Sequence, residues 1–508
     1  MSALNATPAT ETPARPAPLA WGVLAAAMAL FAAHAWLYRR FVVDDTYITF
    51  RFVQQWRAGN GLVYNIGEPV EGYSNFLWIV LLAALNALGL ELMLAAKAAG
   101  IVLSAATVLL LARLSMLSGR LPWAALLLAA SAPFAAWSVG GLETPLVAFL
   151  VLASAYAYIQ ESRRGRGILS GLWFALLALA RPDGLLYAGV AGLLRIGELV
   201  AARRLPTRQD GLRLLLFFAV VIPYHVWRMG YYGHLLPNTV YAKSMGGHLR
   251  GYIEGAYYLY TSLTVTGGVA LLLLAVGLAS LAAQRDVAVR YALAATVAQA
   301  LFLVVAGGDW MPLNRFAVHI LPLLYLLVEV GWVRFAAFLP AWRSQVVAAV
   351  IVVQAVVFLV QSAELHWIDG VARTQHIIPA QPLTLPPGMT APDAVVAVID
   401  AGYLVTLLPL TVRVVDMVGL VDAHIAHLPP QFPGGLLGRG DAFGKWDPDY
   451  VLAQRPDYIQ INVVGRDETG ALITNFTGTT LLARHPEFLR HYRPVEEFDY
   501  TNLFVRVD

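Results

Sequence analysis

The sequence predicts a polytopic α-helical membrane protein of about 11 transmembrane helices, with a small extracytoplasmic α/β domain at the C-terminus. Three observations carry that expectation. The 508 residues are 58% hydrophobic and 13% charged, against roughly 25% charged in soluble globular chains. Apolar runs near the ~20 residues needed to cross a bilayer recur along the chain, as far as residue 361. Beyond Ala363 the hydropathy falls and short strand-like runs take over.

The same composition excludes several functions. A net charge of +3 supplies no electrostatic footprint for nucleic acid. The absence of cysteine rules out disulfides, thiol catalysis and thiolate metal sites while leaving the compartment open.

Taken in order, residues 1–19 are rich in Ala, Pro and Thr and read as a disordered cytoplasmic N-terminus. Val23 to Trp36 has the look of a signal-peptide core. Arg39, Arg40 and further spans follow it, so it reads as an uncleaved first span. The membrane domain covers 20–361, with spans expected at 20–38, 74–90, 95–112, 144–159, 168–180, 184–200, 212–229, 263–283, 288–306, 316–334 and 344–361. The run 121–142 is interrupted at Ser131-Ala132-Pro133, and proline breaks a helix interior. It reads as two half-helices that dip in and return. The basic loops Arg163 to Arg166, Arg203 to Arg213, Arg285 to Arg290 and Arg334 to Arg343 then share one side, which the positive-inside rule makes cytoplasmic. Arg39, Arg40, Arg113 and Arg120 are left outside as exceptions.

With that topology the unusual polar chemistry faces outward. The external loop 40–73 opens on adjacent acids, Asp44 and Asp45, and carboxylates at a membrane boundary are costly unless solvated, paired or used. Thr49, Phe50, Phe52, Val53 and Trp56 then recur at helical spacing with Arg51, Gln54, Gln55 and Arg57 between them, the pattern of an amphipathic helix lying in the membrane plane. Four more outer loops carry Glu143; Arg181 and Asp183; Asn238 and Lys243; and Asp309, Trp310, Asn314 and Arg315. Five such loops on one side, facing mostly arginines on the other, predict a shared extracytoplasmic cavity.

The tail, 362–508, is expected to hold a β-α-β unit over Ala394 to Ile399, Ala401 to Leu408 and Val412 to Asp416. Further strands are expected at Tyr458 to Val463 and Phe498 to Val507. No phosphate-loop or dinucleotide signature occurs in the sequence. Asp416, Asp422, His424, Lys445 and Asp457 read as fold-holding or solvated residues.

The outer loops also carry a likeness. Asp44 to Arg51, Gly61 to Asn65 and Glu71 to Trp78 resemble the first external loop of the bacterial arabinofuranosyltransferases of the membrane GT-C superfamily, in particular the mycobacterial terminal β-1,2 family. Gly141 to Thr144, Ala180 to Gly184, Leu236 to Thr239 with Ala242 and Lys243, Gly307 to Pro312 with Arg315 and Phe316, and Asp416 to Asp422 continue the match in order. The resemblance implies an inverting glycosyltransferase of the bacterial inner membrane, its tail periplasmic. It implies transfer of a sugar, arabinofuranose in the family, from a polyprenyl phosphate to a glycan, lipid or protein acceptor. It also implies that Asp44 or Asp45 is the essential acid.

Such a reaction needs a general base for the attacking hydroxyl and positive groups for the departing phosphate. Asp44 is the expected base, with Asp45 orienting it, holding a sugar hydroxyl or binding a divalent cation, Mg or Mn. Arg181, Lys243 and Arg315 are the expected phosphate ligands. Glu143, Asp309 and Asn238 are candidates for sugar or acceptor hydroxyls, while Tyr73, Trp78 and Trp310 suit sugar stacking or the prenyl path. The ordinary alternative for each arginine is an anchor whose charged tip reaches the interface. A transporter of a lipid-linked or anionic solute is the competing function, and a scaffold with an outer binding domain is a third. Transporters commonly show internal repeats, and no convincing repeat is present.

Overall fold

The structure, a computed structural model, describes residues 18–243, 249–265, 286–337, 383–431, 444–496, 498 and 502–507, with isolated positions between 345 and 360. Two bodies meet in it: a bundle of apolar helices, and an α/β unit that rests on the polar loops at one end of that bundle.

The bundle begins with α1 (Pro18–Leu37), α2 (Asp45–Arg57), α3 (Phe76–Ala87), α4 (Leu92–Leu117), α5 (Trp123–Ala130) and α6 (Ala132–Trp137). It continues through α7 (Thr144–Arg164), α8 (Leu169–Ala180), α9 (Gly184–Ala201), α10 (Arg208–Tyr232), α11 (Asn238–Lys243), α12 (Leu249–Val265), α13 (Val287–Val305), α14 (Arg315–Val318) and α15 (Leu321–Ala337). Local chemistry fixes the ends of these helices. Glu91 caps α4 by accepting from the amides of Met93 and Leu94, both at 2.8 Å. A reciprocal Thr207–Asp210 capping box starts α10, satisfying amides that have no partner within the helix.

The expected count of about 11 spans is corrected. Among the described residues six helices are long and apolar enough to cross a membrane, or seven if the pair Pro312–Val318 and Leu321–Arg334, bent by 74°, is one span. The expected spans 263–283 and 344–361 lie largely outside the described residues. The runs 74–90 and 168–180 form helices of 12 residues each, and at about 1.5 Å per residue these fall well short of ~30 Å of hydrocarbon.

Two of the misreadings involve direction. Helix α3 starts at Phe76, just after loop 40–73, but α4, which follows it, also begins near that loop: the Lys97 ammonium donates to the carbonyls of Arg39 and Phe41. The chain therefore returns without crossing. The run 121–142 does break at Ser131, as expected, yet α5 and α6 together traverse the bundle. At one end the Glu329 carboxylate accepts from Arg120 and from the Ala124 amide; at the other, Thr46 donates to the Gly140 carbonyl. Arg120 thereby joins the basic end, where Arg163 pairs with Asp286 and Arg213 with Glu161.

The α/β unit contains β1 (Val395–Val398), α16 (Tyr403–Thr406), β2 (Arg413–Asp416), α17 (Ala423–His427), α18 (Pro448–Ala453) and β3 (Tyr458–Ile461). After these come β4 (Val463–Arg466), β5 (Leu472–Thr474), α19 (Thr477–Arg484), α20 (Pro486–His491), β6 (Tyr492–Pro494) and β7 (Asn502–Arg506). One sheet runs β2-β1-β3-β7-β6, parallel through β2, β1 and β3 and antiparallel at β7 and β6. The β-α-β unit and both further strands are where the hydropathy pattern puts them. The short β6 and the β4–β5 hairpin carry too few residues to show a period.

Helix α2 is the hinge of the architecture, and it is not an interfacial helix. Its Arg51 is fully buried, donating to the carbonyls of Tyr64 (3.1 Å), Val405 (3.3 Å) and Val412 (2.8 Å). Gln55 donates to Leu410, and Asn65 exchanges two hydrogen bonds with the Val414 backbone. Arg51 and Gln55, two members of the polar stripe expected to face headgroups, instead satisfy carbonyls of the α/β unit, which would otherwise be costly to bury; Arg57 is exposed.

Candidate active site

Between these two bodies lies an open cleft of about 460 Å³, the solvent at its mouth included. The floor and walls come from segments distant in sequence: Asp45 and Thr49 of α2, Tyr73 to Asn75, Glu143, Arg181, Thr239, Lys243 and Arg315, with Leu420 from the α/β unit.

Asp45 opens α2 and turns into this cavity. Among the described residues no hydrogen-bond donor engages its carboxylate. Burial raises its pKa, while Lys243 and Arg315 pull it back. Asp44, one residue earlier, is outside the lining. Its carboxylate accepts from the Tyr403 amide at 2.7 Å, and a Cβ on Gly402 would collide with it. Burial lifts the Asp44 carboxyl to about 7, Asp400 adding to the rise and the Tyr403 amide opposing it. The adjacent acids thus face different partners, one the cavity and one the α/β unit.

The expected cations converge on the same cavity, each differently held. Arg181 is buried and bridges Glu143 (2.7 Å) and Asp183 (2.8 Å), its guanidinium 4.4 Å from the Phe316 ring centre. Arg315 pairs through Nε with Asp309 at 2.7 Å, leaving its two terminal nitrogens without an acceptor among the described residues. Lys243 sits in the last turn of α11. Glu143 also accepts from Asn75 at 3.1 Å; burial works against its ionisation, but Arg181 and Arg315 outweigh it and hold the carboxyl at about 2.

The remaining expected residues have other surroundings. Tyr73 lines the cavity and shares a hydrogen bond with Tyr232 at 2.9 Å. Asp309 backs Arg315 rather than lining the cavity. Trp78 is fully buried and donates to the Gly141 carbonyl, and Trp310 is 58% exposed away from the lining. Asn238 spends its amide on the carbonyls of Gly419, Leu420 and Asp422. In the tail, Asp416 accepts from the amides of Val418 and Val421, and Lys445 donates to the carbonyls of Tyr241 and Ala426.

Asn75, Thr49, Ser74 and Thr239 are polar lining residues that the sequence does not mark as site candidates. Asn75 donates to Thr49 and Glu143, while its Oδ1 is buried without a partner among the described residues. Its place beside Ser74, just before an apolar run, reads in sequence as an ordinary helix start. Among the described residues no three His, Cys, Asp or Glu side chains are grouped to hold a metal ion.

Residues 387–507, nearly the whole α/β unit, match a domain of unknown function (DUF8728). Over 354 residues the chain is 32% identical to the terminal β-(1→2)-arabinofuranosyltransferase of Mycobacterium tuberculosis, covering 61% of this chain and 55% of that protein. Over 395 residues it is 28% identical to the Corynebacterium glutamicum protein of the same name, covering 64% and 54%. The chain is a distant homologue of these proteins and spans about half the length of the curated relatives it matches. Among solved structures, ArnT from Cupriavidus metallidurans in the apo state aligns at 13% identity and TM-score 0.45, over 70% of this chain and 73% of that one. ArnT bound to undecaprenyl phosphate aligns at 17% and 0.46, over 71% and 74%.

Proposed function

We propose that the chain is an inverting glycosyltransferase of the GT-C type that moves a sugar, arabinofuranose by likeness to its relatives, from polyprenyl phosphate to an extracytoplasmic acceptor. One observation carries the reading: a carboxylate without a hydrogen-bond donor among the described residues, Asp45, shares a cavity with three cations, Arg181, Lys243 and Arg315. A single displacement needs that combination. The acceptor oxygen attacks the anomeric carbon and its proton passes to Asp45. The bond from the anomeric carbon to the phosphate oxygen breaks with its electron pair, and the cations take the growing charge.

The proposed base is Asp45 rather than Asp44, a choice supported by its place in the cavity lining. Asp44 is a positioning residue that ties the start of α2 to the α/β unit. Arg315 is the principal phosphate ligand, because a planar guanidinium with two terminal nitrogens available suits bidentate recognition. Arg181 lies beside it, and Lys243 adds a point charge. The unpartnered Oδ1 of Asn75 accepts a sugar hydroxyl. The expected cation has no step in this scheme.

The test uses the absence of cysteine. A Ser74→Cys protein has one thiol, in the cavity wall. Alkylation of that thiol by a membrane-impermeant reagent is expected to slow when polyprenyl phosphate is added and to be unchanged by a nucleotide sugar. Protection by the nucleotide sugar alone contradicts the proposed donor.

A further inference from the structure

We infer that the 387–507 unit, matched to a domain of unknown function, is a fixed roof over the transfer cavity, and that Leu420 on its β2–α17 turn sets the size of the saccharide acceptor that reaches Asp45. The inference rests on the proposed transfer reaction and adds to it a role for the domain and a class of acceptor.

Leu420 is the α/β unit's contribution to the cavity lining, and the turn carrying it is pinned from both sides. From within the unit, the two oxygens of Asp416 accept from Val418 and Val421, both at 2.9 Å. Asp422 accepts from the Ile425 amide (3.1 Å) and from the Tyr450 hydroxyl (2.9 Å). From the bundle, the Asn238 amide donates to the carbonyls of Gly419 (2.9 Å), Leu420 (3.0 Å) and Asp422 (3.3 Å). Gly72, itself in the cavity wall, has no room for a Cβ because Val421 occupies that space. A turn held by so many buried hydrogen bonds does not swing with each turnover, and Leu420 therefore acts as a wall.

Direction of approach assigns that wall to the acceptor. A polyprenyl chain reaches the cavity from the bilayer, through the bundle that supplies Arg181 and Arg315. A saccharide approaches from the aqueous side, where the α/β unit lies. A leucine among mostly polar lining residues packs against the C–H face of a sugar ring while the polar groups take its hydroxyls. Leu420 stands on the α/β-unit side of the cavity, opposite Arg181 and Arg315 of the bundle, so bulk there is felt by the acceptor first.

The experiment compares full-length Leu420→Trp, Leu420→Ala and Leu420→Met with wild type, using a polyprenyl-phosphate pentose donor and pentofuranoside acceptors of increasing size. Leu420→Trp is expected to raise the acceptor KM by about tenfold or more with the donor KM unmoved. Leu420→Ala is expected to favour branched acceptors, and Leu420→Met, which conserves volume, to behave as wild type. An unchanged acceptor KM in folded Leu420→Trp, or an equal rise in donor KM, overturns the inference; if that variant does not fold, unaltered acceptor preference in Leu420→Ala does so. A separate reading needs no turnover: the thiol of Leu420→Cys should be shielded from alkylation by methyl arabinofuranoside. Shielding without any wild-type transfer would refute the proposed reaction and keep the roof. Transfer without shielding would refute the roof and keep the reaction.

Discussion

Replacing Asp45 with Asn reduces turnover by at least about 100-fold, the lower end of what a general base supplies, in a protein that remains monodisperse in detergent. The amide keeps nearly the same shape but cannot take the acceptor's proton. Asp45 accepts no hydrogen bond from the described residues, so the substitution removes no fold-holding contact. Asp44→Asn has a different expected profile. The side-chain oxygen still accepts from the Tyr403 amide, so the α/β unit stays docked and most turnover survives. The wild-type pH profile discriminates further. Burial raises the pKa of Asp45, and a base must be unprotonated to work, so activity rises with pH along a limb lying above the ordinary carboxylate range. Asp45→Asn removes that limb. Asp44 contributes to stability with a definite sign: a carboxyl at about 7 in the folded protein binds protons more tightly than in the unfolded chain. Stability therefore falls as pH rises between its unfolded value and about 7, and Asp44→Asn flattens that dependence. Full turnover in folded Asp45→Asn, or loss only in Asp44→Asn, would return the role of base to Asp44.

Glu143→Ala is the second large effect, and it falls on stability as well as on turnover. It removes one of two acids that neutralise buried Arg181 and strips the Asn75 amide of an acceptor. Breaking a buried ion pair by deleting one partner typically costs about 3–5 kcal/mol; the pair's side chains are only 8% and 4% exposed. A clear drop in melting temperature is expected by intrinsic tryptophan fluorescence, together with lost turnover. Since Glu143 is held at about 2, its stabilising contribution is fully present above its unfolded pKa and is lost as pH falls from there to about 2. The acid limb of activity, raised above the ordinary carboxylate value by burial, therefore belongs to Asp45 and not to Glu143. A Glu143→Ala protein that melts like wild type would make the pair a solvated contact of little consequence.

Legibility in the sequence followed the range of the physics involved. Composition shows a membrane bundle because burial against lipid demands it of every residue, and short apolar runs show β1, β2 and β3 because strands covered on both faces are buried almost throughout. Span counting failed where apolarity and length part company: α3 is apolar but has 12 residues and turns back, whereas α8, equally short, still runs from the Ser170–Glu161 contact at the basic end to Arg181 at the cavity. Two direction errors, α3 as a crossing and α5–α6 as a return, cancel. Every later loop keeps its side for that reason, and Arg120, seemingly an exception to the charge rule, belongs with the other arginines. Around the site, the sequence picked out Asp45, Glu143, Arg181, Lys243 and Arg315 because charges beside apolar runs are conspicuous. It did not show that Arg51 and Asn238 serve the α/β unit, since their partners are backbone carbonyls more than 100 positions away. Nor did it separate Asp44 from Asp45. On a helix start, neighbouring side chains point in different directions, and which one meets the cavity depends on what packs against the other.

The most direct measurement of the central claim is sugar transfer by purified wild-type protein, offered a polyprenyl-phosphate pentose in one reaction and the corresponding nucleotide sugar in another, each with a pentofuranoside acceptor. The account predicts transfer with inversion from the lipid donor and none from the nucleotide sugar. Transfer from the nucleotide sugar, with no use of the lipid, would contradict it.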